Sequence, residues 1–515
     1  MPTFLSLPTG KRIVAPRRPT AACPRRGGLA LLGALLALAC EGKVPAPPAG
    51  PPEAEALRTR AARVLAGAIR LRTVNPPGDE LPLARYYAAL LHAAGLEARV
   101  IETPAGASRA GRGAAWGRLP GSGGRRPLVL LSHLDVVPAD PAEWSVDPFA
   151  GVLREGSVIG RGALDSKGIS VVHLLAMTEL ARRGSPLERD VIFLATPDEE
   201  AGGLEGAGYL ARQYPELLLE ARYLLTEGGS IALGTSDRPS SWGVSVTEKA
   251  PCWIRVIARG PSAHSALPPE TSAVSRLLAA LERVRRHEMP LRVTPEVIRM
   301  YAALAPLASP EDKPGFADLG RALVEDPTFR ERFLASPGRR ALVQSTLTVT
   351  VLEGGPRTNV VPAEATAHLD ARLLPGERCT DLIEALHASI ADPAVNLEAL
   401  LALPSSSSST ETPLFRALGR VASESDPGAL LIPQVAVGFT DAHYFRALGL
   451  VAYGFSPFRH YEGEQRGIHG ANERVSLDDL ERGVEILIGV LRELDRQEER
   501  PPGRPLVGRP DRPGD

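Results

Sequence analysis

The chain has few cysteines, few aromatic residues and almost no net charge. Its 515 residues include four cysteines and 5% aromatic residues, and the formal net charge is −1. Bulk charge therefore gives no reason to expect nucleic acid or an anionic membrane surface as a partner. No CxxC pair occurs, so the cysteines do not form a metal site by themselves. The length suggests two or three domains, and the composition is typical of a globular protein.

A hydrophobic run long enough to cross a membrane is also missing. The longest apolar stretch, in GGLALLGALLALAC, has about 13 residues, whereas a membrane span needs roughly 20. It follows basic residues and ends at Cys40, which is the layout of an export signal. LALAC resembles the lipobox of bacterial lipoproteins, although Ala37 stands where leucine is usual. We therefore expect a periplasmic protein or a lipoprotein anchored at Cys40 in a bacterium. A plain export signal, and a mis-assigned start or an uncleaved anchor, are the alternatives.

Strand-length apolar segments alternate with amphipathic helical segments along much of the chain. RPLVLLSHLDVVP, DVIFLATP and ARYLLTEGG have the character of strands, and helical periodicity separates them. This alternation predicts βαβ units, and hence an α/β fold with a mostly parallel central sheet and helices on both faces.

The pattern changes in the middle of the chain. Strands with helices on one face predict an inserted α+β sandwich that contains a helical or irregular stretch at 288–340. PSSSSSTE at 404–411 has the composition of a flexible linker, and the αβ pattern returns after it. The predicted segments are an export signal (1–40), a Pro-rich tether (41–52), an α/β domain in two parts (53–242 and 405–498), the inserted domain (243–404) and a disordered tail (499–515).

Acidic and histidine side chains follow several of the predicted strands. Open α/β sheets place their sites beyond the carboxyl ends of strands, so we expect these side chains to converge. They are His133 and Asp135 in SHLD, Asp165 in LDSKG, Asp198, Glu199 and Glu200 in PDEE, Glu227 in TEGG, and His469 in IHGANE.

The residue types indicate a hydrolytic metal site. Zn²⁺ accepts histidine nitrogen and carboxylate oxygen, and a carboxylate can bridge two ions. Glu199 and Glu200 point to opposite sides if the segment is extended, so one can bind metal while the other acts as a general base. Taken singly, each residue has a plainer explanation: a solvated turn for the glutamate pair, a helix cap for Asp165, and turn chemistry for Glu227. Their joint occurrence at strand ends favours the metal site.

These motifs resemble the di-zinc amidohydrolase and peptidase family that includes aminoacylases, glutamate carboxypeptidase and Gly-X carboxypeptidase. The run SHLDVVPAD…WSVDPF…GVLREGSVIGRGALDSKG and the later QSTLTVTVLEGGPRTNVVPAEATAHLDARLLPG carry the resemblance. It extends from about 55 to 497 and is strongest to the Gly-X carboxypeptidase and N-acyl-amino-acid hydrolase branch.

The resemblance implies a zinc-binding α/β domain with an inserted lid and dimerisation domain, and a homodimer. It implies two Zn²⁺ ions, with Co²⁺ or Mn²⁺ as substitutes. Glu199 would be the general base, and Asp135 would be the carboxylate that orients His133. The implied ligands are His133, Asp165 and Glu227 for one ion, and Asp165, Glu200 and His469 for the other.

Three residues of the inserted domain also match the family's motifs. His264, in GPSAHSALP, resembles a histidine that stabilises the oxyanion and that comes from the partner subunit in relatives; the alternative is an ordinary surface histidine. Asn359, in RTNVVP, and Arg372, in LDARLLPG, resemble substrate-binding residues. Arg372 would grip a carboxylate by two hydrogen bonds, and its alternative role is an ion pair on a strand face.

The expected reaction is hydrolysis of an amide in a small-molecule substrate, either an N-acyl amino acid or a short peptide that loses its C-terminal residue. A di-zinc aminopeptidase and a non-catalytic lipid-anchored solute-binding protein are the alternatives. Thr226 stands where relatives often have aspartate, and GFTDAHYF places Phe439 and His443 where they often have glycine and arginine. The last two departures bear on substrate specificity. Whether Cys252 and Cys379 pair is left open by the sequence.

Overall fold

The computed structural model describes residues 55–184, 186–235, 238–461 and 467–497. The predicted export signal with Cys40, the tether and the predicted tail lie outside these residues. Within the described ranges, no helix combines the length and the apolar character that a membrane crossing requires.

The predicted helical and strand segments are present with defined bounds. The α-helices of the described residues are α1 Leu57–Arg70, α2 Leu81–Ala93, α3 Lys167–Arg182, α4 Ala207–Gln213, α5 Ala273–Arg285, α6 Pro295–Leu304, α7 Lys313–Ala317, α8 Leu319–Glu325, α9 Pro327–Ala335, α10 Pro337–Val343, α11 Cys379–Ile390, α12 Pro413–Ser425, α13 Ala442–Ala447 and α14 Leu477–Arg496. Short 3-10 helices cover Pro141–Glu143, Glu199–Ala201, Pro215–Leu218 and Ala305–Leu307.

The strands are mostly short, and they alternate with these helices. They are β1 Glu97–Thr103, β2 Arg112–Leu119, β3 Arg125–His133, β4 Val152–Arg154, β5 Ser157–Ile159, β6 Arg189–Thr196, β7 Tyr223–Thr226, β8 Ser230–Ala232, β9 Ser241–Glu248, β10 Ala250–Arg259, β11 Ala263–His264, β12 Thr346–Glu353, β13 Val360–Val361, β14 Glu364–Leu373, β15 Val395–Ala402, β16 Leu430–Ala436, β17 Val451–Gly454, β18 Arg459–His460 and β19 Arg474–Ser476.

A ten-stranded sheet in the order β1-β2-β6-β3-β7-β17-β9-β8-β18, with β16 beside β9, forms the centre of the described structure. Its middle strands β6, β3, β7 and β17 run parallel, whereas β1, β2, β8 and β9 introduce antiparallel pairs. The carboxyl ends of the four parallel strands therefore lie at one edge of the sheet. The predicted α/β fold class is confirmed.

Strand β3 shows why the centre of this sheet is buried. Leu128 and Leu130 belong to the core that α1, α3 and α14 cover, while Val129 and Leu131 belong to the core on the opposite face with α4 and α13. All four side chains are fully buried. A parallel strand covered on both faces needs such a continuous apolar run, which is what the sequence offers.

A second, antiparallel sheet in the order β12-β14-β10-β15 carries helices α5 and α11 on one face. Alternate residues of β10, such as Ile254 and Val256, pack against these helices, and Trp253 lies on the other face. The helices α6 to α10 occupy most of the predicted helical stretch and share an aromatic core built around Tyr301 and Phe333. Val435 of β16 joins that core, so the helical stretch packs on the large sheet.

Two features differ from the simplest interpretation of the sequence. Strand β9 belongs to the large sheet, although it crosses the boundary predicted at 243. The serine-rich segment at 404–411, which composition indicates as a flexible linker, is hydrogen-bonded along β9. The main-chain N–H of Ser408 donates to Val246 O at 2.8 Å, and Thr247 Oγ1 donates to Ser406 O at 2.8 Å. Composition cannot predict such contacts, because serine is common both in flexible, solvated linkers and in segments that are hydrogen-bonded to a strand.

Cys252 and Cys379 form a disulfide that joins β10 to the start of α11, with their Cα atoms 5.4 Å apart. The bond closes a loop between cysteines that are 127 residues apart in the sequence. It lies in the core of the second sheet, since Cys252 is fully buried. The pairing that the sequence left open is therefore made.

Removing this disulfide should destabilise the protein. A Cys252→Ala/Cys379→Ala variant is expected to lose about 2–5 kcal/mol of unfolding free energy, because the unfolded chain regains the freedom of a long loop. Urea denaturation of the variant and of the wild type measures the difference. Wild-type protein unfolded in the presence of a reductant is the control and should match the variant. Equal midpoints for the oxidised wild type and the variant would contradict the prediction.

Candidate metal centre

Five acidic and histidine side chains converge at the edge of the large sheet where its parallel strands end. His133 is the last residue of β3, and Glu227 directly follows β7. Glu200 lies in the 3-10 turn after β6, Asp165 precedes α3, and His469 lies in the loop before β19. The five come from separate parts of the chain. The shared direction of β3, β6 and β7 brings His133, Glu200 and Glu227 to one edge of the sheet, and the segments before α3 and β19 add Asp165 and His469.

Asp165 stands between two groups of these side chains. Its Oδ1 lies 2.8 Å from His133 Nε2, and its Oδ2 lies 3.1 Å from His469 Nε2. Glu227 Oε2 is 3.3 Å from His133 Nε2, and Glu200 Oε2 is 3.3 Å from His469 Nε2. Within each group of three, the potential ligand atoms lie within 4.8 Å of one another. One carboxylate shared by two groups is the arrangement that a bridging ligand requires.

The chemistry of these side chains fits divalent cations. Carboxylate oxygen and imidazole nitrogen are ligands of Zn²⁺ and related ions. Glu200 Oε1 is buried and has no hydrogen-bond partner among the described residues. A buried carboxylate oxygen is costly unless a positive or hydrogen-bonding partner satisfies it. The two groups therefore have both the donor set and the unsatisfied negative charge of a metal site.

Shifted pKa values show the same excess of negative charge. Burial raises the pKa of Glu227 to about 7. Hydrogen bonds to Asp165 and Glu200 raise the pKa of His469 to about 10. Both shifts favour bound protons at the atoms that would bind metal. Since protons and metal ions compete for these atoms, metal binding is expected to release protons.

Asp135 is fully buried and connects two of the loops. Its carboxylate accepts hydrogen bonds from Asn75 Nδ2 at 2.8 Å and from the main-chain N–H groups of Glu199 at 3.1 Å and Glu200 at 3.0 Å. His133 Nδ1 lies 3.0 Å from the main-chain oxygen of Asp135 and 3.6 Å from Oδ1. The closer contact of the imidazole is thus with the main chain, whereas the carboxylate mainly holds the glutamate turn.

Glu199 and its neighbour Glu200 have different surroundings. Glu200 contributes to one of the two groups, whereas Glu199 does not belong to either. Glu199 lines the cleft beside the groups, and the residue is 7% exposed. Burial and the nearby charge of Glu227 raise the pKa of Glu199. The adjacent glutamates are therefore placed for separate tasks.

Glu473 is a supporting residue that the sequence did not single out. It is fully buried and accepts hydrogen bonds from the N–H groups of Gly162 at 2.9 Å, Leu164 at 2.8 Å and Asp165 at 3.0 Å. Arg161 Nη1 donates to it at 2.8 Å. Glu473 thereby fixes the loop that presents Asp165. The available signal was its position in IHGANE, four residues after His469.

A cleft of about 480 Å³ opens beside the two groups and is lined by residues of both sheets. Arg372 of β14 lines it together with Trp253 and Phe439. Arg372 also forms a two-bond ion pair with Asp370, from Nε at 2.8 Å and from Nη2 at 3.1 Å. The two roles considered for Arg372, cleft residue and strand-face ion pair, are therefore compatible.

His264 and Asn359 lie apart from this cleft. Both are exposed, and neither is among the described residues that line it. His264 is the last residue of β11 and Asn359 directly precedes β13, the two strands of a small ribbon, and Ser265 N donates to Asn359 O at 3.3 Å. Within one chain, His264 and Asn359 therefore do not line the cleft beside the metal-binding groups.

Thr226 and His443 stand where relatives often have aspartate and arginine, and both are buried. Thr226 is buried at the end of β7, and Glu227 supplies the carboxylate there. His443 is buried outside the cleft lining, with its ring 5.1 Å from that of Tyr444. Phe439, by contrast, stands in the cleft itself.

A profile of the peptidase family M20/M25/M40 matches residues 129–493. The chain belongs to this family. The predicted family, and with it a metal-dependent amidohydrolase, is confirmed. The match includes all five side chains of the two groups, Glu199 and the second sheet, so the M20 signature covers both faces of the cleft.

Curated M20 relatives are similar over most of their length. The N-fatty-acyl-amino acid synthase/hydrolase PM20D1 of Xenopus tropicalis is 29% identical over 383 residues, which cover 73% of this chain and 74% of the relative. Aminoacylase-1 of Mus musculus is 27% identical over 379 residues, covering 72% of this chain and 81% of the relative.

Solved structures show the same fold at lower sequence identity. The M20 family metallo-carboxypeptidase Sso-CP2 from Sulfolobus solfataricus has a TM-score of 0.64 and 19% identity, covering 84% of this chain and 99% of that chain. Human carnosine dipeptidase 1 has a TM-score of 0.63 and 16% identity, covering 85% of this chain and 97% of that chain.

Metal should bind to the purified protein through Asp165. After chelation, Zn²⁺ at 100 times its dissociation constant should add about 2.7 kcal/mol to the unfolding free energy, because the ion binds only the folded site. Asp165→Asn removes the charge that both groups share and should abolish most of this gain. Thermal unfolding and metal content by mass spectrometry measure both effects.

Glu155→Gln is the matched control for this experiment. The Glu155 side chain is 88% exposed and does not belong to either group, so the variant should bind metal like the wild type. Wild-type metal content and stabilisation in Asp165→Asn would show that the ion is held elsewhere.

Proposed function

We propose that this M20 enzyme hydrolyses the amide bond of N-acyl amino acids or releases the C-terminal residue of short peptides. One observation supports this most strongly: the two groups that share Asp165 lie beside the buried Glu199, in a cleft that also contains the cation Arg372. Such a cleft offers a hydrolytic site and a partner for a free carboxylate. The names of the relatives, an N-fatty-acyl-amino acid hydrolase and an aminoacylase, support the same substrate class.

We propose that the two groups hold two Zn²⁺ ions, with Co²⁺ or Mn²⁺ as substitutes. His133, Asp165 and Glu227 would hold one ion, and Asp165, Glu200 and His469 would hold the other. When bound, such ions lower the pKa of water and polarise a substrate carbonyl. Asp135 and Glu473 support this role, because their hydrogen bonds fix the loops that carry Glu200 and Asp165.

Glu199 would move the proton. A carboxylate oxygen of Glu199 accepts a proton from the attacking water and then delivers it to the nitrogen of the leaving amine. The oxygen of the water forms a new C–O bond to the carbonyl carbon, and the C–N bond then breaks. The products are a free carboxylic acid and a free amino acid. Its position in the cleft and its shielding from solvent support this assignment.

Arg372 would bind the substrate carboxylate. Its guanidinium lines the cleft on the side of the second sheet, while Glu199 and Glu227 lie on the side of the large sheet. A substrate that spans the cleft would place its carboxylate on Arg372 and its amide near the metal-binding groups. An amino acid with a free carboxylate fits both ends.

Glu199→Gln should abolish most of the activity without removing the metal. We expect kcat to fall by about 10²–10⁴-fold, because glutamine cannot accept the proton. The substrates are N-acetyl and N-fatty-acyl amino acids and dipeptides with varied C-terminal residues, with free amino acid measured by mass spectrometry. Glu205→Gln, an exposed site in the same loop, is the control with unchanged kcat. Full turnover by Glu199→Gln would overturn the role of Glu199 as the base.

We also propose a homodimer formed through the second sheet, in which His264 and Asn359 of one subunit complete the cleft of the other. The support is the exposed position of both residues and the character of the neighbouring edge strand. Val349 and Leu352 of β12 are 41% and 58% exposed, and β12 is an outer strand with one unpaired edge among the residues that the structure describes. Exposed apolar residues on an unpaired strand edge are typical of an association surface.

Mixing two inactive variants tests the contribution of His264 across the interface. Coexpressed His264→Ala and Glu199→Gln chains should recover about a quarter of the wild-type activity, because half of random dimers are mixed and each has one intact site. Each variant alone should be nearly inactive. Absence of recovery in purified mixed dimers, or full activity of a monomer, would contradict this proposal.

A further inference from the structure

One wall of the cleft combines a cation with two aromatic rings. The guanidinium carbon of Arg372 lies 5.0 Å from the centre of the Phe439 ring and 5.9 Å from the centre of the Trp253 ring. The two rings meet edge to face, with their centroids 6.1 Å apart. We call these three residues the aromatic wall. The hydrolytic roles assigned to Glu199 and the metal-binding groups make no use of its rings.

The aromatic wall joins the two sheets across the cleft. Trp253 and Arg372 lie on neighbouring strands β10 and β14 of the second sheet, whereas Phe439 follows β16 of the large sheet. Phe439 is half-buried and lines the cleft, so part of its ring is available to a ligand. The ring of Phe439 therefore contacts the guanidinium of Arg372 and also lines the open cleft.

Asp370 fixes the direction in which Arg372 points. It accepts from Nε at 2.8 Å and from Nη2 at 3.1 Å, and Trp253 Nε1 donates to its Oδ1 at 3.1 Å. The hydrogen bonds that Arg372 makes to described residues therefore use one of its two bidentate edges. The Nη1–Nη2 edge can take a second carboxylate, since a guanidinium has five donors.

A carboxylate on that edge would place the rest of an amino acid against the rings. The side chain of an α-amino acid begins one bond from the carbon that carries the carboxylate. With Phe439 and Trp253 at about 5–6 Å from the guanidinium carbon, the side chain meets aromatic surface and not water. Contact with the rings stabilises an apolar side chain. A charged side chain loses hydration there, and the one cation of the aromatic wall is already engaged by Asp370 and by the substrate carboxylate.

We propose that Phe439, together with Trp253, determines which amino acid is accepted on the amine side, and that apolar side chains, aromatic or branched, are preferred over charged ones. This inference rests on the proposed function. The sequence agrees with a special role for position 439, because Phe439 stands in GFTDAHYF where the resembling family often has glycine. A glycine there would remove the ring that closes this side of the cleft.

Substrates that share one acyl group test the inference. N-acetyl derivatives of phenylalanine, leucine, aspartate and lysine are compared by kcat and KM in the metal-loaded wild type. The kcat/KM for phenylalanine and leucine should exceed that for aspartate and lysine by at least about tenfold, the usual range for apolar contacts in a pocket. In Phe439→Gly this ratio should fall by about tenfold, mainly through a higher KM for the apolar substrates.

Phe439→Leu is the conservative variant and should keep most of the preference for leucine. Metal content and thermal unfolding confirm that each variant is folded. A merely structural role for Phe439 would lower kcat for the four substrates alike and leave their ratios unchanged. That result would overturn the inference and leave the proposed function standing.

Two further outcomes are distinguishable. A wild type that hydrolyses the charged substrates best would overturn the inference alone, since amide hydrolysis would still be present. Turnover of none of the N-acyl amino acids or dipeptides by the metal-loaded wild type would overturn the proposed function, and the inference with it.

Discussion

Buried negative charge at one edge of the large sheet is the constraint on which the site depends. Asp135, Asp165, Glu199 and Glu227 lie close together there with little access to water. Such a cluster is unfavourable unless cations or hydrogen-bond donors offset it. The imidazoles of two histidines and several main-chain N–H groups supply part of this compensation. The remainder is what divalent ions can provide, which explains why the protein places carboxylates where a merely stable fold would avoid them.

A second layer of buried polar residues holds these loops in position. The carboxylate of Glu473 accepts hydrogen bonds from three main-chain N–H groups of the loop before α3. The carboxylate of Asp135 accepts two from the turn after β6. Further out, Arg112 pairs with Glu80 at 2.8 Å and with Asp198 at 2.8 Å, and all three side chains are buried. Networks of this kind are stable only when every member is satisfied, so they restrict the loops to one arrangement.

The cleft depends on the relative placement of two separate sheets. Glu199 and Phe439 come from the large sheet, while Trp253 and Arg372 come from the second one. In the register of β10 and β14, Trp253 is opposite Asp370, and Cys252 is opposite Ala371. The disulfide therefore anchors to α11 the part of β10 that presents Trp253. The packing of the second sheet therefore affects the shape of the cleft, because the paired stretch of β10 and β14 that contains Cys252 also positions Trp253.

The α/β class and the identity of the residues that converge could be predicted from the sequence, because hydrophobic periodicity and the polar residues after each strand are local features. The family resemblance already implied that the two ligand groups share Asp165. The three-dimensional structure was needed to show that Asp370 pairs with Arg372 and that Cys252 bonds to Cys379. It also ordered the serine-rich segment along β9, and it left His264 away from the cleft. These outcomes depend on strand register and on contacts between distant parts of the chain, which neither composition nor periodicity encodes.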